Sequence, residues 1–130
     1  MAPTVQFRLR VYRGDTAAIG PGKVRLLEAI DAAGSISAAA RRLGMSYRRA
    51  WVLVDEMNRA LVAPVVSAAT GGSHGGGTTL TAAGHAIVRH YRAVERKAHA
   101  AAAEDLAALT RLLAPDTSPP AVSAPEADPP

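Results

Sequence analysis

The stretch Gly34–Trp51, GSISAAARRLGMSYRRAW, decides the fold. It reads as two short helices joined by a tight turn. Ser35 or Ser37 can cap the first helix, because a serine oxygen accepts a hydrogen bond from an otherwise unpaired N–H of the first turn. Ile36, Ala39, Ala40 and Leu43 then recur at helical spacing. Gly44 suits the left-handed position that ends a helix without a Cβ penalty. Met45 fills the turn, and Ser46 can cap a second helix whose first turn holds Tyr47, Arg48 and Arg49. The small alanines allow the two helices to cross closely. This is the layout of a helix-turn-helix, in which the start of the second helix enters the DNA major groove. A plain helical hairpin would explain the apolar spacing, but it has no use for two arginines and a tyrosine at that helix start.

Working upstream, residues 4–12 alternate. Val5, Phe7, Leu9 and Val11 share one face, and Gln6, Arg8 and Arg10 the other, which predicts a half-buried strand. Gly14-Asp15 ends it. Pro21 in Gly20-Pro21-Gly22 fits the first turn of a helix that runs to about Ala33 and buries Val24, Leu27 and Ile30. Downstream, the second helix of the motif continues with Ala50, Trp51, Val54, Met57 and Leu61 as one apolar stripe. That spacing predicts a core role for Trp51. Pro64 closes the helix.

Val65, Val66 and Ala68 read as a short strand, residues 71–77 as a glycine-rich tip, and Thr78–Thr81 as the returning strand. Two strands after a helix-turn-helix make a wing, to which the N-terminal strand could add a third partner, since a lone hairpin is marginal. Thr81 can cap a long last helix over residues 82–113, roughly 48 Å at 1.5 Å per residue. Along it, Ile87, Tyr91, Val94 and Ala98 follow a 4-3-4 repeat, and Ala102, Leu106, Leu109 and Leu113 resume after a stutter. So long a helix exceeds what a small domain can cover, and the stripe predicts a homodimer. A helix folded back on its own domain, bent near His99, is the alternative.

The fold class expected is therefore mainly α with a small β-sheet. It is a winged helix-turn-helix (N-terminal strand, three helices, two-stranded wing) followed by a long C-terminal dimerisation helix. Residues 1–81 form the DNA-binding domain and 82–113 the linker helix. Residues 114–130, rich in proline and alanine, form a disordered tail.

Charge agrees with this. Residues 1–113 hold all 15 Lys and Arg but 8 of the 11 acids, a net +7, whereas Asp116, Glu126 and Asp128 give the tail −3. A basic excess favours a polyanionic partner through counterion release. There is no cysteine, so neither disulfides nor thiolate metal sites arise. The four histidines do not pair at metal-ligand spacing, and no metal or catalytic residue is expected. His74-Gly75-Gly76-Gly77 is similar to an oxyanion loop, but a nucleophile elbow is missing, and the enzyme reading fails. No apolar run approaches the roughly 20 residues of a membrane span, and the first residues lack a signal-peptide core. A cytoplasmic protein is the simplest reading.

The DNA-facing set comprises Ser35, Ser37, Arg41 and Arg42 around the first helix of the motif, and Ser46, Tyr47, Arg48 and Arg49 at the start of the second. Thr70, Ser73, His74 and Thr78 complete it from the wing. Ser46 and the amides of the helix start suit phosphate. Arg48 and Arg49 can reach guanine edges or phosphates. Tyr47 can pack on a thymine methyl or donate to phosphate. Arg41 and Arg42 suit a backbone clamp, and Lys23 and Arg25 are more remote candidates.

Two segments, 34–58 and 69–84, resemble the N-terminal DNA-binding domain of the ModE family of molybdate-responsive regulators. The resemblance lies in Gly34-Ser35-Ile36-Ser37, Ala40, Gly44, Ser46-Tyr47, Ala50-Trp51 and Glu56-Met57-Asn58. It continues in Ala69-Thr70-Gly71-Gly72, Gly75-Gly76-Gly77, Leu80-Thr81 and Gly84. It implies a winged helix that dimerises through its long last helix and binds double-stranded operator DNA near molybdenum-transport or molybdoenzyme genes. It implies molybdate only through a C-terminal portion of small β-barrel repeats. That portion has no counterpart in this proline-rich tail, so no cofactor is expected. The Gly-Ser-x-Ser-x-Ala-Ala pattern also resembles the LysR-type helix-turn-helix. A LysR-like DNA-binding protein unrelated to molybdate, or a winged-helix protein-interaction module, are the rival readings.

Overall fold

Three hydroxyl side chains start three helices of this protein. The computed structural model describes residues 2–69 and 77–115. Ser35 Oγ accepts from the Ala38 N–H and Ser46 Oγ from the Arg49 N–H, each at 3.0 Å; Thr81 Oγ1 accepts from the Gly84 N–H at 3.1 Å. Of the two serines that could cap the first helix of the motif, Ser35 is the one used. In chain order the elements are β1 (Val11–Arg13), β2 (Thr16–Ile19), α1 (Pro21–Ala33), α2 (Ile36–Leu43), α3 (Tyr47–Ala60), β3 (Val66–Ala69), β4 (Gly77–Leu80), α4 (Ala82–Ala101) and α5 (Ala103–Arg111). Gly34 at φ 83° and Gly44 at φ 70° end α1 and α2 in the left-handed conformation that glycine adopts without strain.

The core lies where α1, α2 and α3 meet the root of the wing. Leu26, Leu27 and Ile30 of α1 pack with Ala39 and Ala40 of α2, with Ala50, Leu53, Val54 and Met57 of α3, and with Val65 and Leu80. Full burial of each large side chain stabilises the fold by roughly 1.5–3 kcal/mol relative to exposure. Ile87 and Val88 of α4 pack against this cluster from outside.

The wing is the antiparallel pair β3–β4, in register from Val66 opposite Leu80 to Ala69 opposite Gly77. It is bound to α3 and to the turn between α1 and α2. Asn58 Oδ1 accepts from the Val65 N–H at 2.8 Å, and the Thr78 N–H donates to the Gly34 carbonyl at 2.9 Å. The Thr81 hydroxyl donates to the Pro64 carbonyl at 2.6 Å, and the Thr81 N–H to the Val65 carbonyl at 3.0 Å. A Cβ on Gly84 would collide with that same Val65 carbonyl, so glycine is what allows α4 to start this close to the wing.

The N-terminal region departs from the expectation of a strand over residues 4–12 that joins the wing. Residues 2–10 form no ladder; only Val11–Arg13 does, and its partner is Thr16–Ile19 across the Gly14-Asp15 turn. The two hairpins form separate two-stranded sheets. The alternation itself is real: Val5, Phe7 and Leu9 are partly buried while Gln6, Arg8 and Arg10 are exposed. Its cause is a helix, since the inward residues lie along α4. Phe7 meets His99 edge to face at 4.7 Å, and Tyr91 Oη donates to the Leu9 carbonyl at 2.8 Å.

α4 is held to α1 by a fork. Arg92 donates from Nε and Nη2 to the two carboxylate oxygens of Glu28 at 2.9 and 2.7 Å, and from Nη1 to Glu95 at 2.7 Å. These bonds hold the Glu28 carboxyl below its ordinary value, against burial, which acts the other way. They raise the affinity of Arg92 for its proton. The single helix expected over 82–113 is instead two, because Ala102 leaves helical geometry at φ −102°, ψ 14°. The break falls at Ala102, within the run Ala100–Ala103. Glu104 and Asp105 in the first turn of α5 favour a new helix start, being anionic at its positive end. The tail from residue 116 and the wing tip at 70–76 lie outside the described residues.

Candidate nucleic-acid interface

Consecutive residues of α3 project about 100° apart. Ala50, Leu53, Val54 and Met57 take the inner face and are buried. Arg48, Asp55 and Arg59 then point nearly opposite. Tyr47 and Trp51, one turn apart, share the flank toward the wing, and Arg49 with Glu56 takes the other flank. Arg48 and Arg49 are both exposed, as are Arg41 and Arg42 in the last turn of α2. The sequence has no acid between Asp31 and Asp55, so this surface is cationic without internal compensation. The first turn of α3 also carries no acid. Arginines at the positive end of a helix dipole work against helix stability. The arrangement favours an anion in front of that end, where the first-turn amides and the positive end of the dipole lie near exposed arginines.

The acids further along α3 are engaged. Asp55 pairs with Arg59 at 2.9 Å, and Glu56 pairs with Lys23 at 3.3 Å. Lys23 is therefore a correction to the sequence reading. It is 9% exposed, and its Nζ also donates to the Ala17 carbonyl at 2.6 Å. It joins α1, β2 and α3 and does not face a ligand. Arg25 is exposed, on the side of α1 that borders Arg92 and Arg96.

The predicted site residues divide as follows. Ser37, Arg41, Arg42, Ser46, Tyr47, Arg48 and Arg49 share the exposed surface of the motif. Ser35 is partly buried, and its oxygen serves as the cap of α2. Thr78 stands in the groove between α3 and the wing, beside Ile36 and Trp51. Thr70, Ser73 and His74 lie outside the described residues. Trp51 is the residue that the sequence reading misplaced. It is 48% exposed, because the core stripe of α3 runs through Ala50 and Val54 and leaves position 51 one step round the helix. The signal was available: Trp51 is four residues from Tyr47, so the two share a face.

Among the residues assigned to dimerisation, Val94, Leu109 and Leu113 are exposed, with Leu112 beside them. Ala98 and Leu106 are half-buried. Tyr91 differs from the expectation of a free stripe. It is 3% exposed within its own chain, and Ile87 packs against the core. Burial pushes the Tyr91 hydroxyl pKa up, as does nearby Glu95, so it stays a hydrogen-bond donor to Leu9. Among the described residues, no helix is long and apolar enough to cross a membrane, and no three His, Asp or Glu side chains gather as a metal site.

Capped helices, a cationic second helix and a hairpin rooted beside it define a winged helix-turn-helix of the kind found in bacterial regulators. Residues 22–85 match the family described as bacterial regulatory helix-turn-helix protein, lysR family. The crystal structure of a CbnR DBD–DNA complex superimposes with a TM-score of 0.51 and 25% identity, covering 68% of this chain and 95% of that one. Among sequences, the molybdenum-pterin-binding protein MopB of Rhodobacter capsulatus is 53% identical over 79 residues, which is 61% of this chain and 29% of MopB. The molybdenum transport protein ModE of Azotobacter vinelandii is 46% identical over 78 residues, 60% of this chain and 29% of that protein. The DNA-binding transcriptional dual regulator ModE of Escherichia coli is 41% identical over 71 residues, 55% of this chain and 27% of the regulator. Over its helix-turn-helix the chain thus resembles the ModE regulators, and it spans under a third of the length of these relatives.

Proposed function

We propose that this protein is a sequence-specific DNA-binding transcriptional regulator that presents α3 to the major groove. The observation that carries this reading is the uncompensated cationic start of α3, with Tyr47, Arg48 and Arg49 exposed beside Arg41 and Arg42. The similarity to regulators, among them the DNA-binding transcriptional dual regulator ModE of Escherichia coli, supports it. The molybdenum-related names of the relatives support a role in genes of molybdenum transport or molybdoenzymes. Ser46 and the α3 amides meet phosphate, Arg48 reads a base edge, and Arg41, Arg42 and Arg49 hold the backbone. Thr70, Ser73, His74 and Thr78 bring the wing against the adjacent groove. The protein has no catalytic role in this reading and acts in the cytoplasm.

It binds as a homodimer, with Val94, Leu109 and Leu113 covered by a second copy. A twofold dimer sets its half-sites about 34–36 Å apart. Selection from a random duplex pool followed by anisotropy titration tests the assignment. Arg48→Ala is expected to lose affinity for the selected site by about 1–3 kcal/mol, and Arg49→Ala to weaken all DNA with a salt slope smaller by about one. Unchanged affinity in both variants refutes the placement of α3. Sedimentation as a monomer at micromolar concentration refutes the dimer.

A further inference from the structure

Trp51 is the chain's only tryptophan, yet it stands at the surface instead of in the core. Tyr47, 55% exposed, lies one turn before it on the same flank. Arg48 completes the shallow hollow between the two rings. Behind Trp51 the groove to the wing is lined by Ile36, Val54, Val66 and Ala68. Two exposed aromatic rings thus share one flank of the first two turns of the helix, with Arg48 beside both and Asp55 one turn beyond Trp51. A partner that fits must be anionic at its rim and apolar at one point within. Duplex DNA meets both conditions in its major groove. Base faces are covered by their neighbours there, so rings meet only base edges, and the apolar group on those edges is the C5 methyl of thymine.

We infer that Tyr47 and Trp51 are specificity-determining residues that read thymine methyl groups within the half-site. This rests on the DNA-binding reading above and names what the helix selects. Arg48 supplies the polar part of the readout, and the aromatic pair rejects positions that lack a methyl.

The test uses the full chain and a duplex selected from a random pool, beside a second duplex in which every thymine of the half-sites is deoxyuridine. Deoxyuridine keeps pairing and removes only the methyl. The unaltered protein is expected to bind the second duplex about fourfold more weakly per contacted methyl, the effect of exposing one methyl-sized group. Trp51→Ala is expected to bind the thymine duplex more weakly and to distinguish the two duplexes less or not at all. A merely structural role would leave that distinction intact, because it has no coupling to the methyl. Tyr47→Ala gives the same readout from a second exposed position. Three results overturn the inference: equal binding of both duplexes by the unaltered protein, a full difference retained in both variants, or a selected half-site made only of G·C pairs. Failure to select any motif refutes the DNA-binding reading itself, whereas a clear motif bound without regard to methyls refutes only the role of Tyr47 and Trp51.

Discussion

Two glycines in helices of this protein are expected to respond to alanine in opposite directions. Replacing a helical glycine by alanine ordinarily stabilises by about 0.5–1 kcal/mol, because it removes backbone freedom from the unfolded chain. Gly22, near the start of α1, has nothing within 4 Å of the position its Cβ would take. Gly22→Ala should therefore gain a few tenths to about 1 kcal/mol. Gly84, in the first turn of α4, is buried. Its Cβ would overlap the Val65 carbonyl and press on the Leu80 side chain at 3.3 Å. Neither neighbour can yield cheaply, since that carbonyl accepts the Thr81 N–H at 3.0 Å and Leu80 belongs to the core. Overpacking of this kind costs about 1–3 kcal/mol, which outweighs the propensity gain and leaves Gly84→Ala destabilised by about 1 kcal/mol. In a domain this size that is a fall in Tm of about 4–8 °C. Thermal and urea unfolding of the two variants beside the parent, by circular dichroism, reads the difference. A Gly84→Ala protein as stable as the parent, or as Gly22→Ala, refutes the argument that glycine sets the approach of α4 to the wing.

Two further outcomes follow from the attachment of α4. Glu28→Gln should lower stability at pH 7 by under about 1 kcal/mol, because the pair is about a third exposed and solvent screens it. The Glu28 carboxyl is held below its ordinary value of 4.5, so its contribution is present above that value and lost as pH falls through the depressed pKa. Unfolding curves of parent and variant should therefore converge in acid, and a gap that persists there refutes the link. Tyr91→Phe removes the donor to Leu9 and should cost about 0.5–1.5 kcal/mol. It should speed amide exchange or proteolysis in residues 2–10 ahead of the rest of the chain, and uniform loosening would show that the bond does not hold the arm.

The helix-turn-helix was legible because its signals are local. A serine before each helix, a glycine after α1 and α2, and apolar positions at helical spacing all act within one or two turns, and Ser35, Ser46, Thr81, Gly34 and Gly44 occupy the expected geometry. The parts that escaped depend on what the chain meets at long range. The alternation at Val5, Phe7 and Leu9 is a true record of one-sided burial, but it does not say whether the covering surface is a sheet or a helix. Lys23 was read as a surface cation because nothing local reveals that Ala17 and Glu56 converge on it. The apolar stripe of Ala50, Trp51, Val54, Met57 and Leu61 places Trp51 in the core by spacing alone, although it stands at the edge of that stripe. Its neighbour on the helix surface is Tyr47, and two large exposed rings on one flank are easier to explain by a ligand than by packing. The break at Ala102 had only weak local markers, the stutter of the apolar repeat between Ala98 and Ala102 and the acids Glu104 and Asp105; the alternative of a bend near His99 lies within one turn of it.

α5 has no buried residue, whereas the start of α4 is seated on α1, the wing root and the N-terminal arm. The chain therefore leaves a finished core before Ala102. A sequence joined after that point attaches to a body whose core takes nothing from it, and exchanging it requires no repacking of Leu27, Ile30 or Tyr91. Built this way, a reading head of the kind proposed above is portable: one solution for recognising a nucleotide sequence can be inherited by proteins whose downstream parts have nothing else in common.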